Sequence, residues 1–203
     1  MATKPKIAVF ASGNGSNFQA IADAIQEGRL NAEIALVVTD KPEAFVVERA
    51  RRLGIKSFSF IPAQYDSKQL YEEMLKEKLV EHKVEWLILA GFMRLIGPVL
   101  LEAFENRIIN IHPSVLPAFP GKDAIGQTLA SGAERAGVTV HYVDAGMDTG
   151  SIISQQSFPV AGRGREAVEE EIHKLEHELY PATLQKLFHQ PVKTKDLYDS
   201  MQG

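Results

Sequence analysis

The first half of the chain alternates short runs of β-branched and aliphatic residues with stretches whose apolar residues return every three or four positions. These are the periods of strand and helix. Residues 7–10 (Ile-Ala-Val-Phe) read as a buried strand that ends in a glycine-rich turn at 12–16. A helix follows, with Phe18, Ile21, Ala22 and Ile25 at helical spacing. Ser16 and Gln19 have the spacing of a capping box, which starts this helix at the glycine turn, and Gly28 ends it. A second strand covers 34–38, and a second helix covers 45–53 and closes at Gly54. A short strand around Phe58, a helix over 67–81, a strand over 86–90, a brief helix over 98–104 and a strand over 108–111 continue the series. Such repetition predicts an α/β fold, a mostly parallel twisted sheet with helices on both faces.

Beyond residue 112 the texture changes. Pro113, Pro117 and Pro120 break up a loop, and 138–143 and 152–158 then alternate as two strands about a glycine-containing turn, a C-terminal antiparallel extension. A long helix begins near Arg165, with Val168, Ile172, Leu175 and Leu179 on one face. Pro181 is expected to kink or interrupt it. No repeat or low-complexity linker divides the chain, so residues 1–190 read as a single domain and 191–203 as a loosely held tail.

Composition narrows the class. With 203 residues, 45% hydrophobic and 24% charged, the chain has the make-up of a soluble globular protein. A formal net charge of -4 supplies no overall positive field for a nucleic-acid backbone. The chain has no cysteine, which removes disulfides, a thiol nucleophile and thiolate metal sites. The apolar run at 7–11 is too short for a signal-peptide core, and the longest one, 86–93, is far short of a membrane span. A cytoplasmic protein with no membrane or nucleic-acid partner is expected.

Three segments carry candidate chemistry. Ser12-Gly13-Asn14-Gly15-Ser16-Asn17 lies between a predicted strand and a predicted helix. Glycines allow close backbone approach, and helix N-terminal N–H groups favour an anion, for which a phosphate is the natural occupant. The dinucleotide fingerprint is a rival: Gly13 and Gly15 fit it, and Asp40 stands where a ribose-binding acid belongs, but its third glycine is replaced by Phe18. No Gly-Lys-Ser/Thr follows for a Walker loop. A tight turn that merely caps the helix is the structural alternative.

Asn110-Ile111-His112-Pro113 sits at the C-terminal end of a predicted central strand, the edge where open α/β sheets bind ligands. Strand alternation puts Asn110 and His112 on one face. An amide donor beside an imidazole suits a developing oxyanion and a proton transfer. The loop at 144–150 brings Asp148, able to orient an imidazole; it lacks the glycine and glutamate of a calcium loop at Thr149 and Gln155. His173, Glu176 and His177 have the H-x-x-E-H spacing of some zinc proteases, but both histidines lie off the apolar stripe and no metal site is expected. Glu176 borders the buried face.

Together with Leu89-Ala90-Gly91-Phe92-Met93-Arg94, these segments, in this order and spacing, resemble the phosphoribosylglycinamide formyltransferase family over about residues 6–188. The resemblance implies a Rossmann-like formyltransferase fold, 10-formyltetrahydrofolate as formyl donor, glycinamide ribonucleotide as acceptor, and no metal. By position it makes Asn110, His112 and Asp148 the catalytic trio, and Gly15, Ser16 and Asn17 the phosphate cradle. Glu176 falls on the ribose side of the nucleotide. Met93, Arg94, Leu95 and Ile96, with Val143 and Asp144, fall in the folate pocket. Lys68 stands where some relatives carry arginine near the folate tail, and 122–125 (Lys-Asp-Ala-Ile) where some carry histidines. A monomer or homodimer is expected. Two other readings stay open: a formyltetrahydrofolate hydrolase on the same fold, and a non-catalytic phosphometabolite-binding protein. A tRNA-formylating relative would need a further RNA-binding domain and a basic surface.

Overall fold

The computed structural model describes residues 4–189, and the expected tail at 191–203 lies outside them. Along the chain run β1 (Lys6–Phe10), α1 (Ser16–Gln26), β2 (Glu33–Thr39), α2 (Phe45–Arg52), β3 (Ser57–Ser59), α3 (Lys68–Glu81), β4 (Trp86–Leu89), α4 (Pro98–Ala103), β5 (Ile108–His112), α5 (Ala124–Ala130), β6 (Arg135–Tyr142), β7 (Ile152–Pro159) and α6 (Arg165–Phe188). The strands form one sheet in the order β3-β2-β1-β4-β5-β6-β7. β1 to β5 are parallel, and β6 and β7 run antiparallel at one end. This is the expected α/β architecture with its antiparallel extension.

Period-2 alternation sorts the two faces. Ile7 and Val9 of β1 pack with Phe18 and Ile21 of α1, Val46 of α2, and Val168 and Ile172 of α6. Ala8 and Phe10 face the other way, against Tyr71, Leu75 and Leu79 of α3 and Leu100 of α4. These four side chains of β1 are buried from solvent, so 7–10 reads as an unbroken apolar run, as a two-sided parallel strand must. β1 is also where strand order reverses: the chain passes from β1 to β2 on one side and later returns to place β4 on the other. The loops leaving β1 and β4 part there and leave a crevice at the strands' C-terminal ends.

Three local expectations are corrected. Ser16 does not cap α1: the N-cap is Gly15, with φ 78 and no side-chain cap, and the Gln19 amide donates to Asp23 instead (2.9 Å). Gly15 opens the first turn to an outside acceptor where a capping box would have closed it. Pro181 does not interrupt α6, which runs through it; the missing N–H falls opposite the carbonyl of His177, one turn back. The proline-rich loop contains a helix, α5, whose N-cap Asp123 accepts from the Gly126 N–H (3.3 Å). Seven residues with an internal glycine give no amphipathic period to read.

Candidate active site

The crevice holds a cavity of about 660 Å³, walled by the loop after β1, the loop after β4, the end of β5, the loop between β6 and β7, and one face of α6. It is lined by every residue that the resemblance assigned to the site except Lys68. The Lys68 ammonium instead donates to the Leu95 carbonyl (2.5 Å), bracing the β4 loop from behind.

The glycine loop forms the cavity's anion-favouring end. Gly15 takes a left-handed conformation, and a Cβ there would come within 2.6 Å of the Val46 side chain, so only glycine fits both the angle and the space. Asn17, just inside α1, donates to Glu176 Oε2 (3.3 Å). Glu176 is 7% exposed. Burial pushes its carboxyl up to about 7, only partly offset by the bond from Asn17.

At the opposite wall β5 delivers Asn110 and His112, and β6 lies antiparallel beside it with His141 directly across from Asn110. The Asn110 amide nitrogen lies 3.2 Å from His141 Nε2. His141 Nδ1 bonds the Tyr142 carbonyl (2.7 Å), which makes Nδ1 the ring's N–H. His112 Nε2 bonds the Phe119 carbonyl (2.9 Å), which turns His112 Nδ1 toward Asp148 Oδ2 at 3.4 Å. Asp148 Oδ1 faces His141 Nε2 at 3.6 Å. The carboxylate therefore lies between two imidazoles. The Gly121 N–H also donates to it (2.8 Å). Burial acts to raise the Asp148 carboxyl, but the neighbouring His141, the Gly121 N–H and His112 outweigh it and hold it below the usual carboxylate range. Asp148 has φ 56, a left-handed angle that aspartate tolerates, and the loop closes at Gly150, where any Cβ would collide with the Tyr142 carbonyl oxygen.

The third wall is the loop after β4. Met93, Leu95 and, from the β6–β7 loop, Met147 are each at least half exposed yet line the cavity, an apolar surface suited to a flat ring system. Ile96 is buried beneath them. The loop is tied to the glycine loop: Ser12 Oγ donates to Asp40 Oδ1 (2.6 Å) and accepts from the Met93 N–H (3.0 Å), and Arg94 Nε donates to Asp40 Oδ2 (2.8 Å). Asp40 therefore does not serve as a ribose-binding acid; its carboxylate is occupied by Ser12 and Arg94. Val143 and Asp144 line the cavity beside Met147, with Asp144 Oδ1 accepting from Gly146 N–H (3.0 Å) and the Thr149 hydroxyl (2.6 Å).

With this geometry in place, comparison with known proteins is decisive: the formyl transferase family profile matches residues 5–184. The chain belongs to the formyl transferase family. It is 52% identical to a phosphoribosylglycinamide formyltransferase of Bacillus subtilis over 90% of this chain and 94% of that one. Among solved structures it is similar to glycinamide ribonucleotide transformylase 1 of Geobacillus kaustophilus, with TM-score 0.88 and 55% identity over 91% of this chain and 98% of that one. It is also similar to a phosphoribosylglycinamide formyltransferase of Bacillus halodurans, with TM-score 0.88 and 46% identity over 95% and 98%.

For a formyl transferase the remaining motif falls into place. His173 and His177 stack on one another (centroids 6.5 Å apart, planes at 11°) while Glu176 turns away to Asn17, so H-x-x-E-H makes no ligand set. Among the described residues no group of three or more His, Cys, Asp and Glu side chains is placed to hold a metal ion. None of the described helices is long and apolar enough to cross a membrane. Sequence reasoning missed His141. A histidine two residues from Thr139 in a predicted strand carries no signal of a site; only the pairing of β6 with β5 brings it to Asn110.

Proposed function

We propose that the protein transfers the formyl group of 10-formyltetrahydrofolate to the primary amine of glycinamide ribonucleotide, the phosphoribosylglycinamide formyltransferase reaction of purine synthesis. The observation that carries this reading is the meeting of Asn110, His112 and Asp148 in one cavity that has an anion-favouring glycine loop at one end and an apolar wall at another. The glycine loop and Glu176 take the phosphate and ribose of the acceptor. Met93, Arg94, Leu95, Ile96, Val143 and Asp144 take the folate, with Lys68 supporting their loop from outside.

The acceptor amine attacks the formyl carbon and the carbonyl oxygen becomes negative. Asn110 has a second amide hydrogen beyond the one directed at His141, and it donates to that oxygen. His112 carries the companion donor at Nε2, where the oxyanion competes with the Phe119 carbonyl. A proton on His112 Nδ1 sits against Asp148, which balances the imidazolium charge. Asp148 also accepts the proton lost by the amine and returns one to the folate nitrogen as the carbon–nitrogen bond to the donor breaks. Residues 1–190 act as one domain, in the cytoplasm, as a monomer or homodimer.

The test follows loss of the formyl group from 10-formyltetrahydrofolate by absorbance, with and without glycinamide ribonucleotide. Turnover only with the nucleotide is expected. Turnover without it identifies a hydrolase, and none in either case a binding protein. His112→Ala is expected to lower kcat by about 10²–10³; turnover within about threefold of the parent removes His112 from the mechanism.

A further inference from the structure

We propose that Arg49, on α2 behind the glycine loop, is the positioning residue that holds the loop's peptide N–H groups toward the acceptor's phosphate. This rests on reading residues 12–17 as the phosphate cradle. The glycine loop has no lysine or arginine of its own, so its grip on a dianion depends on how its backbone dipoles are aimed. Two successive peptide units are anchored by α2. The Val46 N–H donates to the Gly13 carbonyl (3.1 Å), and Arg49 Nε donates to the Asn14 carbonyl (2.8 Å). In a trans peptide the carbonyl and the N–H point in opposite directions. Anchoring these two carbonyls against α2 therefore directs the N–H groups of Asn14 and Gly15 away from α2. On that far side lies the cavity, which Gly13, Asn14 and Gly15 line and to which α2 contributes nothing. Among the described residues neither N–H has an acceptor.

The guanidinium is committed to this task at every nitrogen. One terminal nitrogen donates to Asn14 Oδ1 (2.7 Å) and the other to Gln19 Oε1 (3.3 Å), so a single fork spans the loop and the first turn of α1. Phe45 lies under the guanidinium, 5.0 Å from ring centroid to its central carbon, and keeps it level with the loop. A positive charge on the Asn14 carbonyl also polarises that peptide and strengthens its N–H as a donor. Lysine has the charge but not the fork, and cannot hold backbone and side chain of Asn14 together.

The experiment compares kcat/KM for glycinamide ribonucleotide and for the same riboside without its phosphate, in the parent, Arg49→Gln and Arg49→Lys. The parent is expected to prefer the nucleotide strongly. Arg49→Gln is expected to lose about 10–100-fold on the nucleotide, mainly in KM, and to stay within about threefold on the riboside. Arg49→Lys should fall between. KM for the formyl donor and Tm, measured on the same proteins, should hold near the parent's. Equal losses on both acceptors, or no loss on either, overturn the role given to Arg49 while leaving the cradle in place. A parent that does not distinguish the two acceptors shows instead that residues 12–17 are no phosphate cradle, and the role of Arg49 falls with it.

Discussion

Glu176 is a buried carboxyl whose protonation is tied to the stability of the fold. Its carboxyl ordinarily titrates at 4.5, and burial raises it to about 7. The folded protein thus holds a proton that the unfolded chain releases. The stabilising effect of that proton is complete below pH 4.5 and is lost as pH rises through about 7, a swing on the order of 3 kcal/mol. Glu176→Gln removes the titration and keeps the size. The Tm of the parent relative to this variant is expected to fall between pH 5 and pH 8; a constant difference would show that Glu176 titrates normally. On the proposed role of Glu176, ribose hydroxyls would donate to the carboxylate and favour its charged form, so the same variant should raise KM for the nucleotide. At this scale the sequence was informative about residue type and position: Asn110, His112 and Asp148 stand together in the crevice. It was silent on His141, because one antiparallel pairing between β5 and β6 brings it to Asn110 across a separation of 31 residues.

Among the elements, α6 does more than cover the sheet. Tyr180 is fully buried, and its hydroxyl is directed at both the Leu89 carbonyl (2.8 Å) of β4 and the Ile109 carbonyl (3.1 Å) of β5. Tyr180→Phe leaves those carbonyls short of a donor and is expected to cost about 1–2 kcal/mol, read as a fall of several degrees in Tm. An unchanged Tm would mean that the two carbonyls are satisfied without it. Most elements were legible from an apolar run or an apolar period, as in β1 and α1. The failures were local. The capping box at Ser16 and Gln19 lost to the left-handed Gly15 imposed by the close approach of Val46, and α5 was too short to show a period. The proline in α6 was outweighed by burial of the helix on both sides of it, with Leu179, Tyr180 and Leu184 all in the core.

For the whole molecule, the glycine loop and the β4 loop, proposed above to take acceptor and donor, are joined at one carboxylate. Asp40 holds Ser12 of the glycine loop with one oxygen and Arg94 of the β4 loop with the other. Asp40→Asn keeps an acceptor for Ser12 but gives up the charge that holds Arg94. KM for the formyl donor is expected to rise about tenfold with KM for the nucleotide within about twofold, measured by varying each substrate at saturation of the other. An equal rise in both would mean that the tie steadies the two loops alike. That the site lies at the C-terminal ends of the strands was readable from the sequence, whereas this tie was not: sequence alone does not say that residues 12, 40 and 94 meet.

The seam between β1 and β4 also has a kinetic meaning. The Met93 N–H reaches the Ser12 hydroxyl across 81 residues of chain, and Ser12 N–H reaches the Gly91 carbonyl beside it. Closing so large a loop is among the slower events of folding. The cavity is walled by both loops, so the two substrates cannot be held side by side until the two central strands have docked. Substrate added to a refolding chain should therefore leave the rate of sheet assembly unchanged and act afterwards, by slowing the unfolding of the finished protein.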